Sequence, residues 1–472
     1  MGYIYIKSVN LIRLHAQFII IVFAVGMHDA SAQPIRLSPA DSIARKRAAD
    51  SIRSKTSEDY QDMLKQLGIT ELRPGANGNN AKDPHAANYD ESKANPFPQL
   101  PDPLILTNGK KITTSKQWFT KRRPQIVEFF DREIYGRQPN DIPLVKWQVD
   151  EVIVDTIQGI PVTTSYITGK VEHPTNPNRK VQIKLSLTIP IGAVERIPVV
   201  MELSFPMPPG FKSPPPPPNV PRSPGWQEQV LSRGWAVAQL IPVSIQADNG
   251  AGLTEGIIGL LNDGNHRKPD DWGALRAWAW GTSRAVDFFE SLPQLDAKKV
   301  AIEGHSRYGK AALVAMAYDA RIAIAFVSSS GEGGAKLHRR NFGELVENLA
   351  ASGEYHWMAG NFIKYAGPLQ WSDLPVDSHE LIALCAPRPV FISVGEKGDS
   401  WVDAKGNFLS AVYATPVYEL LGKKGIPSAE FPKVETGFFE GELSFRQHSG
   451  GHTPLPNWPY FLQMANKYFS NK

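Results

Sequence analysis

Hydrophobic and polar positions change texture along the chain. Residues 33–95 are rich in Lys, Arg, Asp, Ser, Ala and Asn and nearly free of aromatic residues. They spell a loose helix over 41–67 and a Gly/Asn-rich linker over 74–82, with too few apolar residues for a core of their own. The reading is a polar N-terminal extension, 33–95, whose removal is expected to leave activity largely intact. From Phe97 onward apolar and aromatic residues become dense. Trp118, Phe119, Ile126, Phe129 and Phe130 predict an amphipathic helix over 116–135. Residues 147–166 and 181–189 alternate apolar with polar, the period of half-buried strands.

Short apolar runs then replace alternation. They lie at 197–203 and 235–241, separated by a Pro-rich loop from Pro206 to Pro224 that excludes helix and central strand. A helix is predicted over 270–292, with Leu275, Trp278, Thr282, Val286 and Phe289 on one face. Strands follow at 299–303, 322–328, 389–394 and 443–447, and helices at 308–316, 411–421 and 459–469. Strand and helix alternating at this spacing predict an α/β fold over 96–472: a doubly wound, mostly parallel sheet sandwiched by helices.

The first residues carry a different signal. Lys7 and Arg13 precede an apolar run over 18–27, and Ala30-Ser31-Ala32 supplies a small-x-small cleavage site before Gln33. Residues 1–32 thus read as a secretory signal peptide, since the run is too short to span a bilayer. The mature protein is expected to be periplasmic or secreted, without a membrane span, and away from cytosolic nucleotides. Composition narrows the chemistry further. The single cysteine, Cys385, excludes an intramolecular disulfide and a cysteine-based zinc cluster. A net charge of +4, evenly spread, gives no nucleic-acid footprint.

The segment Val300-Ala301-Ile302-Glu303-Gly304-His305-Ser306-Arg307-Tyr308-Gly309-Lys310-Ala311 carries the most chemistry. A buried strand runs through Gly and Ser into a small-residue helix, which exposes Ser306 at the carboxyl edge of a sheet. Helix N–H groups follow it, where an oxyanion would develop. The match to G-x-S-x-G is imperfect, because Tyr308 stands where the second Gly belongs. A phosphate loop, Gly304-x-x-x-x-Gly309-Lys310, is the rival reading, but Ala311 replaces the Ser/Thr that would hold magnesium.

An α/β-hydrolase triad runs Ser, acid, His. Asp399 follows the strand 389–394, in the loop where such an acid belongs, and Glu332 in the loop after 322–328 is the alternative. His452 follows the strand 443–447 in a Gly-containing turn; His448, ending that strand, is the weaker candidate. His379-Glu380 lacks the second His of a zinc helix, so no metal is expected.

Gly304-His305-Ser306-Arg307-Tyr308-Gly309-Lys310 resembles the G-x-S-R-x-G-K signature of glucuronoyl esterases. The resemblance continues through Ser330-Gly331-Glu332-Gly333-Gly334-Ala335, Arg339-Arg340-Asn341-Phe342-Gly343-Glu344, His356-Trp357, Asp399-Ser400-Trp401 and Gly451-His452, in family order. It implies an α/β-hydrolase fold and cleavage of the ester between 4-O-methylglucuronic acid on xylan and a lignin alcohol. It implies a triad of Ser306, His452 and an acid, with Arg307 steadying the oxyanion. Lys310 and Glu344, the latter in the following helix, would hold sugar hydroxyls, and Trp401 would line the sugar pocket. Many members carry the acid in a Glu-Ser-Gly motif; here Ser329-Ser330-Gly331 stands there, which favours Asp399. The expectation is a monomeric serine esterase without cofactor, acting on glucuronoxylan or lignin–carbohydrate esters. An acetyl-xylan or other carbohydrate esterase is the enzymatic alternative, and a catalytically silent carbohydrate-binding protein the alternative of another class.

Overall fold

The computed structural model describes residues 39–193, 195–206 and 224–470. Residues 1–32, read as a signal peptide, and most of the Pro-rich loop lie outside the described residues. Among the described residues, strands β1 Lys146–Ile157, β2 Ile160–Glu172, β3 Lys180–Pro190, β4 Ile197–Leu203, β5 Ala236–Ile241, β6 Leu295–His305, β7 Ile322–Ser328, β8 Val390–Gly395, β9 Gly437–Phe438 and β10 Leu443–His448 form one sheet. Its order is β1-β2-β3-β5-β4-β6-β7-β8-β10-β9. The run from β5 to β10 is parallel, and β1, β2, β3 and β9 pair antiparallel at the two ends. This is the α/β sheet expected from the pattern of short apolar runs.

Those runs are continuous because both faces of the central strands are covered. On one side Val300 and Ile302 of β6 join a core with Trp278, Leu313, Leu381 and Phe408, supplied by helices Ala274–Glu290, Arg307–Tyr318, Ser378–Cys385 and Ala404–Leu420. On the other, Ala301 of β6 meets Val200, Phe326, Phe391, Trp458 and Phe461 under helix Trp458–Phe469. Each large apolar side chain buried this way contributes about 1.5–3 kcal/mol. No described helix is long and apolar enough to cross a membrane.

Two expectations change. The alternating stretch 147–166 is a hairpin turning at Gln158 (φ 48°) and Gly159 (φ 80°), the positive pair that a two-residue turn requires. Its first strand, β1, is exposed on both faces rather than half-buried, because it is the sheet's edge. The polar extension is also corrected from residue 39 on. Helix Pro39–Leu67 lies against the α/β body, with Tyr60 and Met63 buried. The Tyr60 hydroxyl donates to Ala350 O at 2.8 Å, and Asp59 accepts from the Tyr355 hydroxyl at 2.7 Å. Arg73 pairs with Glu347 at 2.9 Å, and Glu91 with Arg340 at 2.8 Å. Apolar residues too sparse to make a separate core are enough here to complete an existing one, with ion pairs anchoring the rest.

Candidate active site

Strand β6 ends at His305, and Ser306 follows with φ 59° and ψ −128°, outside the conformations that side chains ordinarily adopt. Such a turn swings the hydroxyl clear of the sheet edge at the start of helix Arg307–Tyr318. The first N–H groups of that helix have no carbonyl one turn back and face the same region. The two flanking glycines are steric requirements. A Cβ on Gly304 would lie 2.0 Å from Tyr308 O, and one on Gly309 would lie 2.7 Å from Ser328 O. The close approach falls at residue 309 rather than 308, which explains the imperfect motif. Tyr308 is buried against Trp278 and Phe205.

The acid and histidine loops are stitched together by backbone. Glu396 N and Lys397 N both donate to Gly450 O, and a Cβ on Gly395 would lie 2.2 Å from Gly451 O. That contact brings Asp399 and His452 side by side. The imidazole Nδ1–H donates to Asp399 Oδ1 at 2.6 Å. Asp399 is buried, and its Oδ2 accepts from Gly395 N at 2.7 Å and from the Ser329 hydroxyl at 2.7 Å. The ring of His452 lies 4.3 Å from that of His305, next to Ser306. An Nδ1–H committed to a carboxylate leaves Nε2 with its lone pair, the form a general base needs.

Glu332 points elsewhere. Its carboxylate is fully buried between Lys336, at 2.8 Å, and His338. Burial pushes the Glu332 carboxyl up, but Lys336 and His338 outweigh it and hold it at about 2. His448 is tied into its own turn, bonded to Gly450 N and Thr453 O at 3.0 Å each.

Lys310 and Glu344 meet at 3.0 Å in a buried pair. Lys310 also donates to Glu332 O at 2.5 Å. Glu344 does not sit in the following helix; it lies in the loop before Val346–Ala350, with its N–H bonded to Trp401 O at 2.8 Å. Trp401 is half-buried, its ring packed against Gly78 of the N-terminal segment. Arg307 pairs with Asp248 at 2.5 Å.

A family model described as "Glucuronyl esterase, fungi" matches residues 229–422. A solved family 15 glucuronoyl esterase from Teredinibacter turnerae is 44% identical with a TM-score of 0.81, covering 88% of this chain and 99% of that one. This chain belongs to the glucuronoyl esterase family. It is a carboxylic ester hydrolase. Another solved glucuronoyl esterase, from Solibacter usitatus, is 33% identical with a TM-score of 0.70 over 80% of this chain and 99% of that one. A curated carbohydrate esterase of an unknown prokaryotic organism is 30% identical over 82% of this chain and 93% of its own length.

Three polar residues around the site escaped the sequence reading. Ser329 holds Asp399, and its φ of 43° marks a constrained loop. His305, bonded through Nδ1 to the Ser328 hydroxyl, is held neutral, since burial and the neighbouring His452 push it down to about 3. Asp248 comes from the loop after β5. Ser329 and His305 stand inside the segments around Ser306 and after β7 that the sequence already marks. Asp248 carries no local pattern.

Proposed function

We propose that this glucuronoyl esterase hydrolyses esters of 4-O-methylglucuronic acid, with Ser306 as nucleophile, His452 as base and Asp399 as orienting acid. The observation that carries the reading is the His452–Asp399 contact at 2.6 Å, in a fold where Ser306 occupies the strained strand-to-helix turn. Ser306 Oγ attacks the carbonyl at sugar C6 while His452 Nε2 takes its proton. The oxyanion meets the N-terminal N–H groups of the helix and the Arg307 guanidinium. His452 then protonates the departing alcohol, and a water activated by the same imidazole releases free glucuronic acid. Lys310, Glu344 and Trp401 hold the sugar, whose ester lacks the carboxylate charge but keeps its hydroxyls. Lignin alcohols on glucuronoxylan are the natural leaving groups in this reading. Export through residues 1–32 places the enzyme beside such polymers.

The test compares benzyl glucuronate with acetylated xylan, using wild type and Ser306→Ala. Cleavage of the glucuronate ester, lost below about one per cent in Ser306→Ala with the melting temperature unchanged within a few degrees, supports the reading. Preference for acetyl groups, or residual cleavage above that level, overturns it.

A further inference from the structure

We propose that Asp248 is a positioning residue for Arg307 and sets the rate of ester cleavage through it. This rests on the reading of Arg307 as the side chain that meets the oxyanion.

One carboxylate collects three donors. Arg307 Nη1 reaches Oδ2 at 2.5 Å, while Oδ1 accepts from His356 Nε2 at 3.0 Å and Trp357 Nε1 at 2.6 Å. Burial raises the Asp248 carboxyl, but His356 and Arg307 outweigh it and hold it well below the usual carboxylate range. Asp248 is therefore an anion throughout the working range of an esterase. His356 is fully buried, and burial pushes its imidazole down.

Arg307 is held on two sides. The carboxylate fixes one Nη, and the Trp357 ring lies 5.2 Å from the guanidinium carbon. The same ring stands 5.4 Å from Lys310 Nζ. Trp357, itself fastened to Asp248 by its indole N–H, thus backs both cations of the site.

The physical reason for such a clamp is entropy. A free arginine samples many rotamers, and only donors already in place stabilise charge as it develops. Without the Asp248 charge, Arg307 remains next to Ser306 in sequence but loses its fixed direction.

The experiment is a double-mutant cycle in the full chain: wild type, Asp248→Asn, Arg307→Ala and the double variant, with kcat and KM on benzyl glucuronate. Asp248→Asn is expected to lower kcat by about 10–10²-fold, less than the roughly 10²–10³-fold cost of deleting an oxyanion donor, with KM nearly unchanged. In the Arg307→Ala background the same change is expected to cost less than about twofold, because groups acting as one unit are not additive. Equal losses in both backgrounds, or wild-type kcat in Asp248→Asn, overturn the proposal. Wild-type kcat in Arg307→Ala instead overturns the oxyanion reading beneath it. If Asp248→Asn fails to fold, Trp357→Phe, which removes the indole N–H from the carboxylate, enters the same cycle under the same criteria.

Discussion

Asp399 and Glu332 were the two candidate acids, and their surroundings differ. Asp399 spends one oxygen on His452 and the other on Gly395 N and Ser329. Glu332 spends both on the buried Lys336 and His338. Asp399→Asn is expected to lower kcat by about 10²–10⁴-fold, through the wrong imidazole tautomer, with little change in melting temperature. Glu332→Ala is expected to do the reverse. It leaves Lys336 buried and unpaired, at a cost of about 3–5 kcal/mol in stability. Measuring kcat and thermal unfolding on both variants checks the assignment, and a folded Glu332→Ala with the greater kcat loss would transfer the role to the earlier loop. Ser306 and His452 were legible as candidates in the sequence because each follows a strand at a glycine-marked turn. Asp248 was not, because its meaning comes from Arg307, His356 and Trp357, which are distant in the chain.

At the scale of elements, strands β4 and β6 pair Glu202 with Glu303 across the parallel register. Burial pushes the Glu303 carboxyl well above its ordinary value, and the charge of Glu202 pushes it further. A group whose folded value is raised holds its proton more tightly when folded. Its stabilising contribution is complete below about pH 4.5 and is lost as the pH rises toward the folded value. Glu303→Gln is therefore expected to gain melting temperature over wild type at pH 8, a gain that shrinks toward pH 5; a pH-independent difference would show that Glu303 is already ionised. Within β6 the sequence pattern located the strand but not this carboxyl's environment. An apolar run predicts burial without naming which strand lies beside it, and the Glu202 contact exists only once β4 has crossed next to β6. The hairpin of β1 and β2 was read as half-buried for a related reason. Alternation gives a period of two, but only the sheet order shows that β1 is an edge.

For the whole molecule, the N-terminal segment matters most. Its helix buries Met63 over Gly360, where a Cβ would lie 2.2 Å from the Met63 sulfur, and its later residues back Trp401 and Arg340. Deleting residues 33–95 is therefore expected to lower the melting temperature by several degrees or to yield insoluble protein. Met63→Ala alone is expected to cost about 2–5 kcal/mol. A truncated chain with unchanged unfolding and full activity would show that these contacts are dispensable. The segment's low apolar content was visible in the sequence. Its docking was not, because the surface it completes is built from residues beyond 240.

The bond from the Tyr60 hydroxyl to Ala350 O spans 290 positions. During synthesis at about 5–20 residues per second, the partner emerges roughly 15–60 s after the donor. Closing so long a loop also precedes any reward from the contact. The earliest-made helix of the described chain is thus expected to settle late. Until it does, Tyr60 and Met63 stay uncovered, and the turn carrying Trp357 lacks its outer support. The early helix is thus a latch that closes only on a partner made 290 positions later.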